Sequence, residues 1–72
     1  MAATGVSCTA QIGEIAGLVW HTLEEAGPMS LAKLAKQIDA PRDVVMQAIG
    51  WLAREGKVEI EEIKRRRTIW LR

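Results

Sequence analysis

Apolar side chains recur every three or four positions in the first part of the chain, and this spacing predicts amphipathic helices. The first helix is expected to run from Gln11 to Ala26. Gly27 suits the left-handed conformation that ends many helices, and Pro28 cannot continue one, so these two residues mark its end. The apolar stripe of this helix consists of Ile12, Ile15, Ala16, Val19, Leu23 and Ala26.

Two further helices are predicted at short intervals. Ser30 can cap a second helix of about nine residues through its hydroxyl group. Pro41 suits the first turn of a third helix, because proline lacks the N–H group that has no helical partner there, and Gly56 ends that helix. The two stripes contain Leu31, Leu34, Ala35 and Ile38, followed by Val44, Val45, Ala48, Ile49 and Leu52.

After Gly56 apolar residues alternate with polar ones, which is typical of strands with one buried face. Residues 57–61 and 68–72 are therefore predicted to form the two strands of a hairpin. The intervening segment 62–67 contains no Gly, Asn or Asp for a two-residue turn, so we expect a longer and mobile hairpin loop. This loop would carry four consecutive cations, Lys64, Arg65, Arg66 and Arg67.

Length and composition indicate one small soluble domain. The chain has 72 residues, of which 49% are hydrophobic and 26% are charged. We expect residues 1–9 to form a flexible lead-in and residues 10–72 to form the domain. No apolar run approaches the roughly 20 residues that span a bilayer, and the single cysteine, Cys8, has no partner for an internal disulfide. A cytoplasmic protein without a membrane segment is the expectation.

The order of the predicted elements indicates the fold. Two helices, a short turn, a third helix and a terminal hairpin follow one another in the winged helix-turn-helix, an α+β domain whose hairpin is called the wing. A short extra strand near Pro28 to Ser30 is also allowed for in this prediction.

Several segments resemble a family of small, stand-alone prokaryotic winged helix-turn-helix proteins of unknown function. The first helix contributes Ile12-Gly13, Ala16-Gly17 and Val19-Trp20, and the third contributes the run from Gly50 to Val58, GWLAREGKV. The resemblance spans about residues 11 to 72. It implies the winged fold and assigns no activity, substrate or partner.

Positive charge is concentrated where a winged helix would touch nucleic acid. The net charge is only +1, but six cations and three acids give residues 57–72 a net charge of +3. In DNA-binding winged helices the third helix enters the major groove and the wing touches phosphates or the minor groove. We therefore expect binding to double-stranded DNA, with transcriptional regulation as the associated process. The candidate contacts are Arg42, Gln47 and Arg54 on the third helix and Lys64, Arg65, Arg66 and Arg67 on the wing.

Two features argue against strong sequence-specific binding by a monomer. Asp43 would repel phosphate, and Gly50-Trp51 occupies positions where DNA-binding relatives often carry polar or basic residues. The alternative for the four cations is a solvated turn that keeps a small protein soluble. A second hypothesis for the whole chain is an interaction surface for a protein partner or a homodimer, formed by Met46, Trp51 and Trp70.

The remaining aromatic and small residues have structural interpretations. Trp20 is predicted to be in the core, whereas Trp70 either packs over the third helix or is exposed on the hairpin. Gly13 and Gly17 lie four residues apart on the first helix, where they favour close packing within the domain or, alternatively, a dimer seam.

Catalysis is not expected. His21 is the single histidine and has no further His or Cys with which to complete a zinc site, so a solvated helix face is the simpler interpretation. Ser30 is explained by capping, and Ser7 and Cys8 lie in the predicted lead-in without a neighbouring base. No glycine-rich nucleotide loop is present. We therefore predict no catalytic residue, no metal and no cofactor.

Overall fold

The computed structural model describes residue 5 and residues 7–72. Within them the chain forms three helices and one antiparallel sheet of three short strands. This arrangement confirms the predicted winged helix-turn-helix fold, including the short extra strand after the first helix. In chain order the elements are α1 (Cys8–Ala26), β1 (Met29–Ser30), α2 (Leu31–Gln37), α3 (Arg42–Arg54), β2 (Val58–Ile63) and β3 (Arg66–Leu71).

Helix α1 begins three residues earlier than its apolar stripe predicts. The Ser7 hydroxyl accepts a hydrogen bond from the backbone N–H of Ala10 at 3.2 Å, so Cys8 and Thr9 are helical and not part of a lead-in. Gly27 ends the helix as predicted, with φ of 81° and its N–H donating to the Leu23 carbonyl at 2.8 Å. Of the predicted lead-in, residues 1–4 and 6 lie outside the described residues.

Helix α2 is shorter than predicted, with seven residues. Its Ser30 cap is confirmed, because the hydroxyl accepts from the backbone N–H of Lys33 at 3.1 Å. Ile38 has already left the helix at φ −91° and ψ 122°, yet its side chain is buried. Residues 38–41 therefore form the sharp turn that sets the direction of α3.

The β2–β3 hairpin, which we call the wing, ends in a turn of two residues. Ile63 pairs with Arg66, so only Lys64 and Arg65 lie between the strands, at φ of 51° and 68°. The predicted longer loop is wrong, because both residues adopt the left-handed conformation that two-residue hairpin turns usually assign to Asn and Gly. Arg66 and Arg67 belong to strand β3 and not to a loop.

The hydrophobic core lies where the three helices meet one face of the sheet. Central strand β3 contributes Ile69, which is fully buried and paired with Met29 of β1 and Ile60 of β2. Ile60 of edge strand β2 is itself exposed, whereas Val58 at the start of the same strand is buried. The buried core residues are Ala16, Val19, Leu23, Met29, Leu34, Ile38, Val45, Ala48, Ile49, Leu52, Val58 and Ile69.

Candidate nucleic-acid interface

Helix α3 has one buried face and one outer face. Its core residues are Val45, Ala48, Ile49 and Leu52. Because successive residues rotate by about 100° around a helix, the side opposite this stripe is occupied by exposed residues from each turn. The outer face consists of Asp43, Gln47, Gly50 and Arg54.

The start of α3 and the wing line a groove with a volume of about 690 Å³, which we call the wing groove. Arg42 lies on the flank of α3 that faces the wing, about 100° from the outer face. Arg66 and Arg67 of β3 also line this groove, and strand alternation directs their side chains to opposite faces of the sheet. Arg65 lines the groove from the turn. Four of the seven predicted nucleic-acid contacts are therefore brought together. The other lining residues are Ser30, Leu31, Ala32, Met46 and Glu62.

The four arginines of the wing groove are not equally available. Arg67 and Glu62 stand directly opposite each other in the strand register, and Arg67 Nε donates to Glu62 Oε1 at 2.9 Å. Arg42, Arg65 and Arg66 form no ion pair with any described residue. The lining of the groove therefore includes three arginines without an ion pair among the described residues and one whose guanidinium group already contacts a carboxylate.

The remaining predicted contacts lie outside the wing groove. Gln47 and Arg54 are exposed on the outer face of α3, and Lys64 is exposed at the tip of the wing. Asp43 shares the outer face of α3 with Gln47 and Arg54, and its carboxylate accepts a hydrogen bond from the backbone N–H of Val44 at 2.9 Å. An acid in the first turn suits the helix dipole, but it places negative charge beside the candidate base-reading residues.

Met46, Trp51 and Trp70 do not form the single surface that the sequence predicts. Met46 is half-buried in the wing groove, and Trp51, five residues and about 140° further around α3, points away from it. Trp70 is half-buried and paired with Glu59, on the sheet face opposite to Ile69. The prediction overlooked that helical rotation and strand alternation separate these three positions.

A second groove, of about 560 Å³, lies between α1 and the flank of α3 that carries Trp51. Trp20 lines it and is half-buried, so its predicted place in the core is wrong. Gly13 and Gly17 also line it, and, apart from adjacent residues and the nearby backbone of α1, no described atom lies within 4 Å of the position that a Cβ would occupy on either. The predicted close packing of these glycines within the domain is therefore wrong. We call this feature the tryptophan groove.

The described part of the chain gives little support for a catalytic or metal site. His21 Nδ1 lies 3.7 Å from Glu24 Oε1 on an exposed stretch of α1, which fits a solvated helix face. Residues 7–72 contain no group of three His, Cys, Asp or Glu side chains placed to hold a metal ion. No helix among them combines the length and the apolar character needed to cross a bilayer.

Comparison with known proteins agrees with this architecture. Residues 8–71 match the model of a winged helix-turn-helix domain family, DUF2582. An uncharacterised protein of Methanocaldococcus jannaschii, MJ1608, is 43% identical over 51 residues, which cover 67% of this chain and 71% of the archaeal protein. The family match spans every helix and strand described above. The chain therefore belongs to the winged helix-turn-helix domain family DUF2582.

Proposed function

We propose that this domain is a non-catalytic module that binds double-stranded DNA, with transcriptional regulation as the process that it serves. The observation that carries the proposal is the wing groove, where Arg42 of α3 and Arg65 and Arg66 of the wing share one surface without carboxylate partners among the described residues. Guanidinium groups bind phosphate oxygens through paired, charge-assisted hydrogen bonds. The phosphate backbone of DNA is the partner that this cluster of positive charge favours.

The two parts of the interface have different roles in this proposal. The arginines of the wing groove neutralise backbone phosphates and fix the orientation of the duplex, but they read no sequence. Gln47 and Arg54 on the outer face of α3 approach base edges in the major groove, where an amide suits adenine and a guanidinium suits guanine. Asp43 on the same face limits this reading. We therefore expect weak, phosphate-dominated binding, with a dissociation constant on the order of 10⁻⁵ M.

Salt dependence tests the proposal. Three phosphate contacts give a slope of about −2.7 when the logarithm of the association constant is plotted against the logarithm of the salt concentration. The affinity should therefore fall about 40-fold between 50 and 200 mM salt. Fluorescence anisotropy with a mixed-sequence duplex measures this slope. The double variant R65A/R66A should lower its magnitude to about 0.9, because one groove arginine without an ion pair, Arg42, remains.

The matched control removes two cations from elsewhere on the surface. Lys33 and Lys36 are exposed on α2 and lie outside the wing groove. The variant K33A/K36A changes the net charge by the same amount as R65A/R66A, and it should keep most of the salt slope. If the wild type fails to bind at low salt, or if both double variants bind equally, the wing groove is not the contact surface.

The alternative of a homodimer or protein-binding module is tested independently of DNA. Of its three predicted residues, Trp51 is the one that stays exposed, with 45% of its surface accessible. Sedimentation of the wild type and of Trp51→Ala at micromolar to millimolar concentration measures self-association directly. A concentration-dependent dimer that Trp51→Ala abolishes would favour this alternative.

A further inference from the structure

The tryptophan groove has the size and walls of a small-molecule site. Its volume of about 560 Å³ falls within the roughly 300–1,000 Å³ of typical ligand pockets. Trp20 of α1 and Trp51 of α3 contribute its aromatic surface. The two glycines of α1 leave open space where other residues would place side chains, so a flat molecule can approach the helix backbone. These features favour a planar, aromatic occupant.

Two cations are held at the end of the groove where α3 meets the wing. The Lys57 ammonium lies 6.0 Å from the centroid of a Trp51 ring. The Arg72 guanidinium lies 3.6 Å from the position that a Cβ on Gly56 would occupy. Backbone hydrogen bonds of 3.0 Å link Arg72 N–H to the Lys57 carbonyl and Lys57 N–H to the Leu52 carbonyl, so both cationic residues are tied to the end of α3.

The charge of the residues that line the groove indicates the sign of the charge on its ligand. The residues that form the groove include Lys57 and Arg72 but no aspartate or glutamate, and its single histidine, His21, lies 3.7 Å from Glu24 Oε1. This concentration of positive charge contrasts with a chain whose net charge is only +1. Lysine and arginine at the edge of an apolar, aromatic surface favour a ligand with an anionic group on an aromatic body.

We propose that the tryptophan groove binds a small planar aromatic carboxylate, with its rings against Trp20 and Trp51 and its carboxylate toward Lys57 and Arg72. A second copy of the chain fits the groove less well on the basis of area. A sphere of the groove's volume has a surface of only about 330 Å², whereas a stable protein interface buries about 800 Å² on each partner.

The three tryptophans supply the readout. Each indole N–H gives a separate cross-peak in a ¹⁵N–¹H correlation spectrum of the full chain, and Trp70 lies outside the groove. Titration with 2-naphthoate should shift the peaks of Trp20 and Trp51 and leave that of Trp70 in place. The neutral analogue 2-naphthylmethanol should bind at least about tenfold more weakly, because it carries no negative charge and forms no ion pair with the two cations.

Two glycine variants form a matched pair. Gly17 and Gly50 are both exposed helical residues with open space at the Cβ position, but only Gly17 lines the groove. Gly17→Leu should fill the groove and abolish the 2-naphthoate shifts, whereas Gly50→Leu should leave them unchanged. The variant Lys57→Gln should lower the preference for 2-naphthoate over the alcohol without weakening binding of the alcohol. The variant R65A/R66A should bind 2-naphthoate like the wild type, which separates this proposal from DNA binding.

Several results would overturn the assignment. Equal affinity for 2-naphthoate and its alcohol would show that the cations take no part. Movement of the Trp70 peak together with the other two would indicate unspecific association. A wild-type dimer that Gly17→Leu converts to a monomer would identify the groove as a self-association surface.

Discussion

The Glu62–Arg67 ion pair predicts that removal of an acid strengthens duplex binding. Glu62 lies in the wing groove and holds the Arg67 guanidinium at 2.9 Å. The variant Glu62→Gln keeps the size of the side chain but removes its charge. Arg67 then becomes a fourth unpaired guanidinium in the groove, and we expect it to neutralise one further phosphate.

The expected magnitude follows from the same salt relation. One further contact changes the slope from about −2.7 to about −3.6 and strengthens binding by up to about eightfold at 0.1 M salt. The fold should tolerate the change. With 54% and 64% of the two side chains exposed, the ion pair contributes at most about 1 kcal/mol. A domain of this size has a free energy of unfolding on the order of 4–11 kcal/mol.

The neighbouring acid provides the control. Glu61 is also exposed, but its side chain projects from the opposite face of the sheet, where it pairs with Thr68. Anisotropy titrations of Glu62→Gln and Glu61→Gln at several salt concentrations compare two variants with identical net charge. Equal affinity gains in both would show that only overall charge matters, and no gain in Glu62→Gln would refute the role assigned to Arg67.

Three further predictions concern stability and its relation to binding. Arg65→Gly should raise the free energy of unfolding by about 1 kcal/mol, because glycine adopts φ of 68° without strain. The same variant should weaken duplex binding, so the stability measured by calorimetry should rise while the affinity measured by anisotropy falls. Leu34→Ala should destabilise the domain by about 2–5 kcal/mol, since Leu34 is fully buried, and urea denaturation measures this loss. Ser30→Ala should cost about 1 kcal/mol through loss of the α2 cap, which a lower thermal midpoint would reveal. A denaturation midpoint unchanged by Leu34→Ala would contradict the assigned core.

The helices were predictable because their determinants are local. The end of α1 at Gly27 and the start of α2 at Ser30 follow from backbone conformation and capping, which depend on a few adjacent residues. The start of α1 was missed because Ser7 precedes the first apolar residue of the stripe by several positions. A hydroxyl residue ahead of a helical stretch was the available indication of this earlier start.

The wing turn could not be read from residue types. Nothing about Lys64 or Arg65 favours positive φ, which costs on the order of 1–2 kcal/mol for each residue. The cross-strand pairs that the tight turn allows, Glu62 with Arg67 and Ile63 with Arg66, offset this cost only when both strands are present. The residue types alone therefore predicted a longer loop, whereas in the structure strand pairing continues up to a two-residue turn.

The sequence by itself determined the order of the helices and hairpin, most of the buried residues and the cluster of cations near the wing tip, because periodicity and capping are properties of neighbours along the chain. Only the tertiary structure decided which charges share a surface. Arg42 joins the wing, Gln47 and Arg54 face outward, and Trp51 meets Trp20 across a groove. These groupings depend on how the helices and the sheet pack against one another, and spacing along the chain does not encode that packing.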